Sequence, residues 1–290
     1  MDVKFTKMHG SGNDFIVVDE WAKEALPDGR KVAFVKMACD RHFGVGSDGA
    51  IFVQKSKKAD VNFVYYNPDG SKAEMCGNGI RCLAKYVYEH GLVKKKTMTA
   101  ETLTGIKSLD LTVDNSIVKE VKVDMGRPQV KRGEAQVSGD PEDTFINQIV
   151  EVGDSEYKIT AVGMGNPHAI VLHQSIDAVD LTEACPKIRH YASLFPKGVN
   201  VHFIQKTGPN EFKIRTYERG VEAETLACGT GICASAVAAV LNRKADMKKQ
   251  ILFHAKGGDI KVELDGTPDD IQKTYLIGPA QEVYTGKIEF

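Results

Sequence analysis

Runs rich in β-branched and aromatic residues dominate the chain and predict strands over Phe15 to Val18, Val61 to Tyr66, Ile117 to Val123, Tyr157 to Val162, Val199 to Ile204 and Phe212 to Tyr217. Apolar residues at helical spacing are fewer. They predict helices over Arg30 to Cys39, Asn78 to His90, Leu181 to Tyr191 and Thr230 to Asn242. The last of these is apolar or small on nearly every face from Ile232 to Leu241, the pattern of a helix enclosed by protein. The second carries Ile80, Leu83, Ala84 and Val87 on one stripe and offers Arg81, Lys85 and Glu89 for a wetter side. Gly133 to Thr144, polar and interrupted by Pro141, reads as a surface loop, and the passage between two halves is expected near Asp124 to Pro128.

Short phrases recur in the same order along the chain. Gly10-Ser11-Gly12-Asn13 returns as Gly163-Met164-Gly165-Asn166, Phe52-Val53-Gln54-Lys55 as Phe203-Ile204-Gln205-Lys206, and Cys76-Gly77-Asn78-Gly79-Ile80 as Cys228-Gly229-Thr230-Gly231-Ile232. One such echo is ordinary turn chemistry, but three at an offset of about 150 residues describe one duplicated unit, since true repeats hold a fixed period. The expected fold is α+β: two pseudo-symmetric domains from an internal duplication, each a mostly antiparallel β-structure wrapped around a central helix, with related elements facing each other across a cleft.

The paired cysteines carry the candidate chemistry. Cys76 and Cys228 each stand just before a glycine-rich helix start, where unpaired backbone N–H groups and the positive end of the helix dipole favour a thiolate. Two opposed thiols can invert a stereocentre, one removing a proton from one face of a carbon acid while the other returns a proton to the opposite face. The amides around Gly77-Asn78 and Gly229-Thr230 are placed to stabilise a carboxylate on which charge accumulates. No cofactor or metal need be invoked for this chemistry, a pyridoxal lysine being the alternative.

Composition narrows the classes of partner. At 290 residues the chain is long enough for two domains, and 38 basic against 39 acidic residues leave a net charge of −1. No global field attracts nucleic acid or an anionic membrane, so a small-molecule substrate is expected. The N-terminus lacks the apolar stretch of a signal peptide and no apolar run is long enough to span a bilayer, which predicts a cytoplasmic protein with six reduced thiols.

Six segments together resemble the diaminopimelate epimerases over essentially the whole chain: Gly10 to Phe15, Asn67 to Ser71, Met75 to Cys82, Gly163 to His168, Tyr217 to Gly220 and Ala227 to Gly231. The resemblance implies interconversion of LL- and meso-2,6-diaminopimelate, on the way to lysine and peptidoglycan, with Cys76 and Cys228 as the two catalytic bases and no cofactor. It implies that Asn13, Asn67, Gly77, Asn78, Asn166, Asn200, Glu218, Arg219, Gly229 and Thr230 bind substrate, Arg219 as a carboxylate clamp and Glu218 as an acceptor for ammonium, and that His168 and Glu218 adjust the protonation of the thiols. It further implies a homodimer and a discontinuous first domain, residues 1–123 with 276–290, around a second of residues 124–275. One departure is visible, for Gly49 stands where some relatives carry a substrate-contacting glutamine.

Competing readings attach to the same residues. A lone cysteine is more often buried core than nucleophile; Cys82 and Cys233 are read as helix-packing residues, and Cys39 and Cys185, which have no motif, as core or surface. Asn67-Pro68-Asp69-Gly70 is a strong turn signal whatever else it does, and His9, His42, His173 and His202 are read as structural. A proline racemase is the nearest enzymatic rival, although Asn78 stands where those enzymes typically carry histidine. A thiol redox switch or zinc module is the rival from another class.

Overall fold

The computed structural model describes residues 2–290. They form two compact units, one running to Asp124 and taking in Ile277–Phe290, the other Met125–Leu276.

In the first unit β1 (Asp2–Gly10) and β2 (Asn13–Asp19) form an antiparallel hairpin. Its two-residue turn, Ser11 and Gly12, lies in the left-handed region with φ of 53° and 82°, the twist that suits a tight hairpin. After α1 (Asp28–Cys39), β3 (Ala50–Gln54) lies parallel to β2, and β4 (Val61–Tyr66) returns antiparallel. After α2 (Gly77–Glu89), β5 (Thr97–Thr102) lies parallel to β4, and β6 (Gly105–Asp114) and β7 (Ile117–Gly126) continue antiparallel. The last strand of the chain, Gln281–Glu289, pairs antiparallel with β1.

Alternation along the strands divides the side chains between two cores. Ile16, Val18 and Phe52 pack with Phe34, Val35 and Ala38 of α1. On the other face Phe15, Ile51 and Phe63 close around Gly79 of α2, which packs against β1 to β4, β6 and the last strand. So enclosed, α2 has little wet face, and the structure corrects the expectation for Arg81 and Lys85. Arg81 is fully buried, donating from Nε to Pro279 O (3.1 Å), from one terminal nitrogen to Ser11 Oγ (3.1 Å) and from the other to Gly77 O (3.5 Å). Lys85 donates to Glu89 (2.6 Å) and to Val118 O (3.3 Å). Long stems carry these donors to acceptors within α2 and on other segments, which is how a charged side chain tolerates burial.

The second unit begins with α3 (Arg132–Ala135), β8 (Gln148–Val152), β9 (Ser155–Gly163) and β10 (Pro167–Leu172). There follow α4 (Leu181–Arg189), β11 (Asn200–Gly208), β12 (Glu211–Glu218), β13 (Ala223–Thr225), α5 (Gly229–Leu241), β14 (Ile251–Ala255), β15 (Gly258–Thr267) and β16 (Asp270–Gly278). Its ladder repeats that of the first unit. β9 pairs antiparallel with β10, β10 parallel with β11 across α4, β11 antiparallel with β12, β12 parallel with β14 across α5, and β14 antiparallel with β15. The echoed phrases thus mark two copies of one folding unit. From Ile232 to Val240 α5 is buried on every side, as its unbroken apolar sequence requires.

The segment read as a loop over Gly133 to Thr144 is not wholly irregular. It opens with the single helical turn of α3, because Ala135, Val137 and Phe145 are drawn into the core beneath α4 and anchor the chain at three points.

His254 on β14 stands between two carboxylates, with Nδ1 2.7 Å from Asp259 and Nε2 2.9 Å from Glu211. Both ring nitrogens therefore favour carrying a proton, and Asp259 and then Glu211 raise its pKa above the ordinary value. A pKa higher in the folded than in the unfolded state gives stability that is full below the unfolded value and lost as pH rises through the folded one. His254→Gln should therefore lower the urea midpoint at pH 6 and leave it unchanged at pH 9, where both side chains are neutral; equal losses at both pH values would contradict the ion-pair account.

Candidate active site

Cys76 and Cys228 occupy the same local position in the two units. Each is the N-cap of a thirteen-residue helix, with extended backbone (φ −139°, ψ 112° and φ −111°, ψ 108°). In both, glycine follows immediately, so backbone amides of the first helical turn lie beside the sulfur. Such amides lack intrahelical partners and favour negative charge.

Around Cys76 the sequence-predicted residues Asn13 and Asn78 are brought together. The Gly79 amide donates to Cys76 Sγ (3.4 Å), the thiol donates to Asn13 Oδ1 (3.5 Å), and Asn78 Nδ2 donates to the same oxygen (3.2 Å). Asn13 arrives there because the Ser11-Gly12 turn ends at the first residue of β2. Asn67 is used differently: it closes its own turn, with Nδ2 donating to Ser71 Oγ (3.0 Å) and its N–H to Ser71 O (2.9 Å).

Around Cys228 the environment is drier and more charged. Burial, and then the adjacent Glu218 carboxylate, push its thiol well above the usual range, while Thr230 and the Gly231 amide pull the other way. The sulfur lies 3.5 Å from Thr230 Oγ1. Cys228 thus rests as a protonated thiol. Glu218 is itself held by Thr225, whose hydroxyl donates to Oε1 at 2.5 Å.

His168 and His202 lie side by side on β10 and β11, both fully buried. Burial pushes His202 down to about 3, and burial together with His202 and Arg219 holds His168 well below the ordinary histidine value. Both are neutral. Asn166 Oδ1 accepts from His168 Nε2 (2.8 Å), so His168 Nδ1 accepts from His202 Nε2 (2.8 Å), and His202 Nδ1 in turn accepts from Thr216 Oγ1 (3.0 Å). One directed chain of hydrogen bonds runs from Thr216 to Asn166. Asn200 has both ends of its amide engaged, Nδ2 donating to Pro167 O (3.0 Å) and Oδ1 accepting from the Arg219 N–H (2.9 Å). It positions the backbone of Arg219, whose guanidinium donates to Lys197 O (3.2 Å).

The departure at Gly49 has a physical counterpart. A Cβ at this position would fall 2.5 Å from the Tyr65 ring and 2.6 Å from Tyr66 O, so Tyr65 fills the space that a longer side chain would need. Sequence reasoning also passed over Asp48 and Thr225, and read His202 as structural only. For His202 a signal existed, because it follows Asn200 by two positions on one strand and so shares its face. Cys82 and Cys185 are buried thiols pushed up to about 12 by burial. Among the described residues no group of three or more His, Cys, Asp or Glu side chains is arranged to hold a metal ion, and no helix is long and apolar enough to cross a membrane.

The twin units, each with a cysteine-capped central helix, place the chain in a fold class shared with several solved structures. A Bacillus anthracis phenazine biosynthesis protein of the PhzF family superposes with a TM-score of 0.73 at 16% identity, covering 100% of both chains. A probable proline racemase from Agrobacterium radiobacter superposes at 0.71 and 15% identity, covering 99% of this chain and 93% of that one. Sequence similarity then separates the members of this class. The diaminopimelate epimerase family profile matches residues 5–131 and 160–283. The diaminopimelate epimerase of Pelotomaculum thermopropionicum is 45% identical over 286 residues, covering 99% of each chain, and that of Methanothermobacter thermautotrophicus 42% over 288 residues, covering 98% of each. The chain belongs to the diaminopimelate epimerase family, and it is an isomerase.

Proposed function

We propose that this protein interconverts LL- and meso-2,6-diaminopimelate by a two-base mechanism in which Cys76 and Cys228 exchange roles with the direction of reaction. One cysteine, as thiolate, removes the α-proton, and the other, as thiol, delivers a proton to the opposite face of the same carbon. First-turn amides of α2 and α5, at Gly77-Asn78 and Gly229-Thr230, stabilise the α-carboxylate as charge builds. Arg219 clamps the distal carboxylate, Glu218 accepts from an ammonium, and Asn13, Asn67 and Asn166 complete the binding set. Asn200 positions Arg219, and His168 with Glu218 adjusts the thiols. The two compact units act as the two domains of this enzyme, and the protein works as a cytoplasmic homodimer.

The observation that carries this reading is the repetition of a cysteine N-cap followed by Gly-x-Gly at equivalent places in two copies of one unit. A two-base inversion needs one proton-transfer group on each face of the carbon, and a duplicated unit supplies a matching pair. The test is proton NMR in deuterium oxide with reduced enzyme, offering LL-diaminopimelate, meso-diaminopimelate and L-proline separately. Loss of the α-proton with change of stereoisomer is expected for both diaminopimelates and not for proline. Exchange with proline alone would overturn the assigned substrate, and exchange with none would overturn the reading altogether.

A further inference from the structure

An ionic cluster lies beside Asn13 on the side away from Cys76. Asp48, in the segment between α1 and β3, accepts from Asn13 Nδ2 (2.7 Å) and from the Asp14 N–H (3.1 Å) through Oδ2, while its Oδ1 accepts from Arg41 (2.6 Å). Arg41 also reaches Asp14 (2.8 Å), and Lys7 pairs with Asp14 (2.6 Å) while donating to Gly46 O. Burial works to raise the Asp14 carboxyl, and Arg41 and Lys7 overcome it, holding it at about 2. Asp48 O also accepts from Tyr65 OH (3.3 Å), which fixes the backbone at this point.

An asparagine amide is nearly symmetric in shape and opposite in chemistry at its two ends, so its orientation is set by its partners. Asp48 is a carboxylate and accepts only. Asn13 must therefore point its NH₂ at Asp48 and its carbonyl oxygen at Cys76, where that oxygen receives the thiol and Asn78 Nδ2. We infer that Asp48, held by Arg41, is a positioning residue that locks the Asn13 amide with its oxygen toward Cys76, so that the resting thiol keeps its proton. A free amide could turn its N–H groups to the sulfur and stabilise the thiolate instead. The inference rests on the reading of Cys76 as a catalytic group, and it deepens that reading by assigning the setting of its proton to residues that never touch it.

The test follows Cys76 without substrate. Reduced protein is alkylated with iodoacetamide at a single neutral pH, and modification of Cys76 and Cys228 is followed separately by peptide mass spectrometry. Asp48→Ala should raise the Cys76 rate about tenfold or more, the effect of exchanging one hydrogen bond to a charged group, while the Cys228 rate stays constant. In an Asn13→Ala background the Asp48→Ala change should have no effect on Cys76, because the amide through which it acts is gone. An unchanged Cys76 rate in folded Asp48→Ala protein, or an effect that persists in the Asn13→Ala background, would overturn the inference. If Asp48→Ala does not fold, Arg41→Met loosens the same carboxylate from a half-exposed position and should raise the Cys76 rate in the same direction; no change there would count equally against it. Because no substrate is used, failure here is distinguishable from failure of the proposed epimerase activity, which the NMR exchange assay reads independently.

Discussion

Replacing either Cys76 or Cys228 by Ala should abolish inversion while leaving the fold intact. General acid–base groups each contribute on the order of 10²–10⁴ in rate, and the proposed reaction has no substitute for either. Inversion should therefore fall by about 10³ or more in each variant. Serine replacements keep a hydroxyl at the helix N-cap but with a far weaker acid, so they should retain, at most, partial half-reactions such as exchange from one face. The difference between the two sites gives a second handle. Cys228 is held as a thiol by burial and by the Glu218 carboxylate, so Glu218→Gln should make Cys228 react faster with iodoacetamide at neutral pH. Full inversion activity in either alanine variant, measured by stereoisomer analysis after incubation with LL-diaminopimelate, would refute the two-base reading.

Gly231→Ala should be among the most damaging single changes outside the thiols. A Cβ there would lie 2.1 Å from Cε1 of His202 and within 2.8 Å of both ring nitrogens, distances no real contact tolerates. The ring cannot step aside, because His168 and Thr216 hold its two nitrogens. Either α5 shifts at its first turn, taking Cys228 with it, or the histidine chain breaks. Overpacking of this kind costs roughly 1–3 kcal/mol and occasionally more, and the damage falls on the helix start that presents Cys228. The equivalent glycine of the first unit is a control. A Cβ at Gly79 meets only the ends of Phe63, Ile51 and Phe15 side chains at 3.3–3.4 Å, so Gly79→Ala should lower the denaturation midpoint much less. If the Gly231 variant is as stable as the Gly79 variant, the rigidity assigned to His202 is wrong. A His202→Ala change made together with Gly231→Ala should recover part of the lost stability.

The fold was legible where local pattern and final environment agree. Apolar β-branched runs became strands, and the small, wholly apolar sequence from Ile232 became an enclosed helix. The paired Cys-Gly-x-Gly phrases became helix N-termini, each with its cysteine as the N-cap. Local pattern misled where a charged residue found partners far along the chain. Arg81 and Lys85 read as a wet face, and only the wrapping strands decide otherwise, with the carbonyl of Pro279 reaching Arg81 across 198 positions. The four residues of α3 escaped notice for a related reason, since their helical turn is fixed by a core that forms around Ala135, Val137 and Phe145.

For the candidate site the division is similar. Residue type and order along the chain determined the duplication, the two thiols at equivalent helix starts and the polar motifs around them, because these depend on backbone conformation within a few residues. What the tertiary structure alone decided is how those residues are held: Asp48 orienting Asn13 from 35 positions away, His202 passing a hydrogen bond to His168 from 34 positions away, and Tyr65 filling the space above Gly49. Each depends on which strands lie side by side. Strand neighbours are chosen by the burial of whole faces, a property of the assembled sheet that no short stretch of sequence contains.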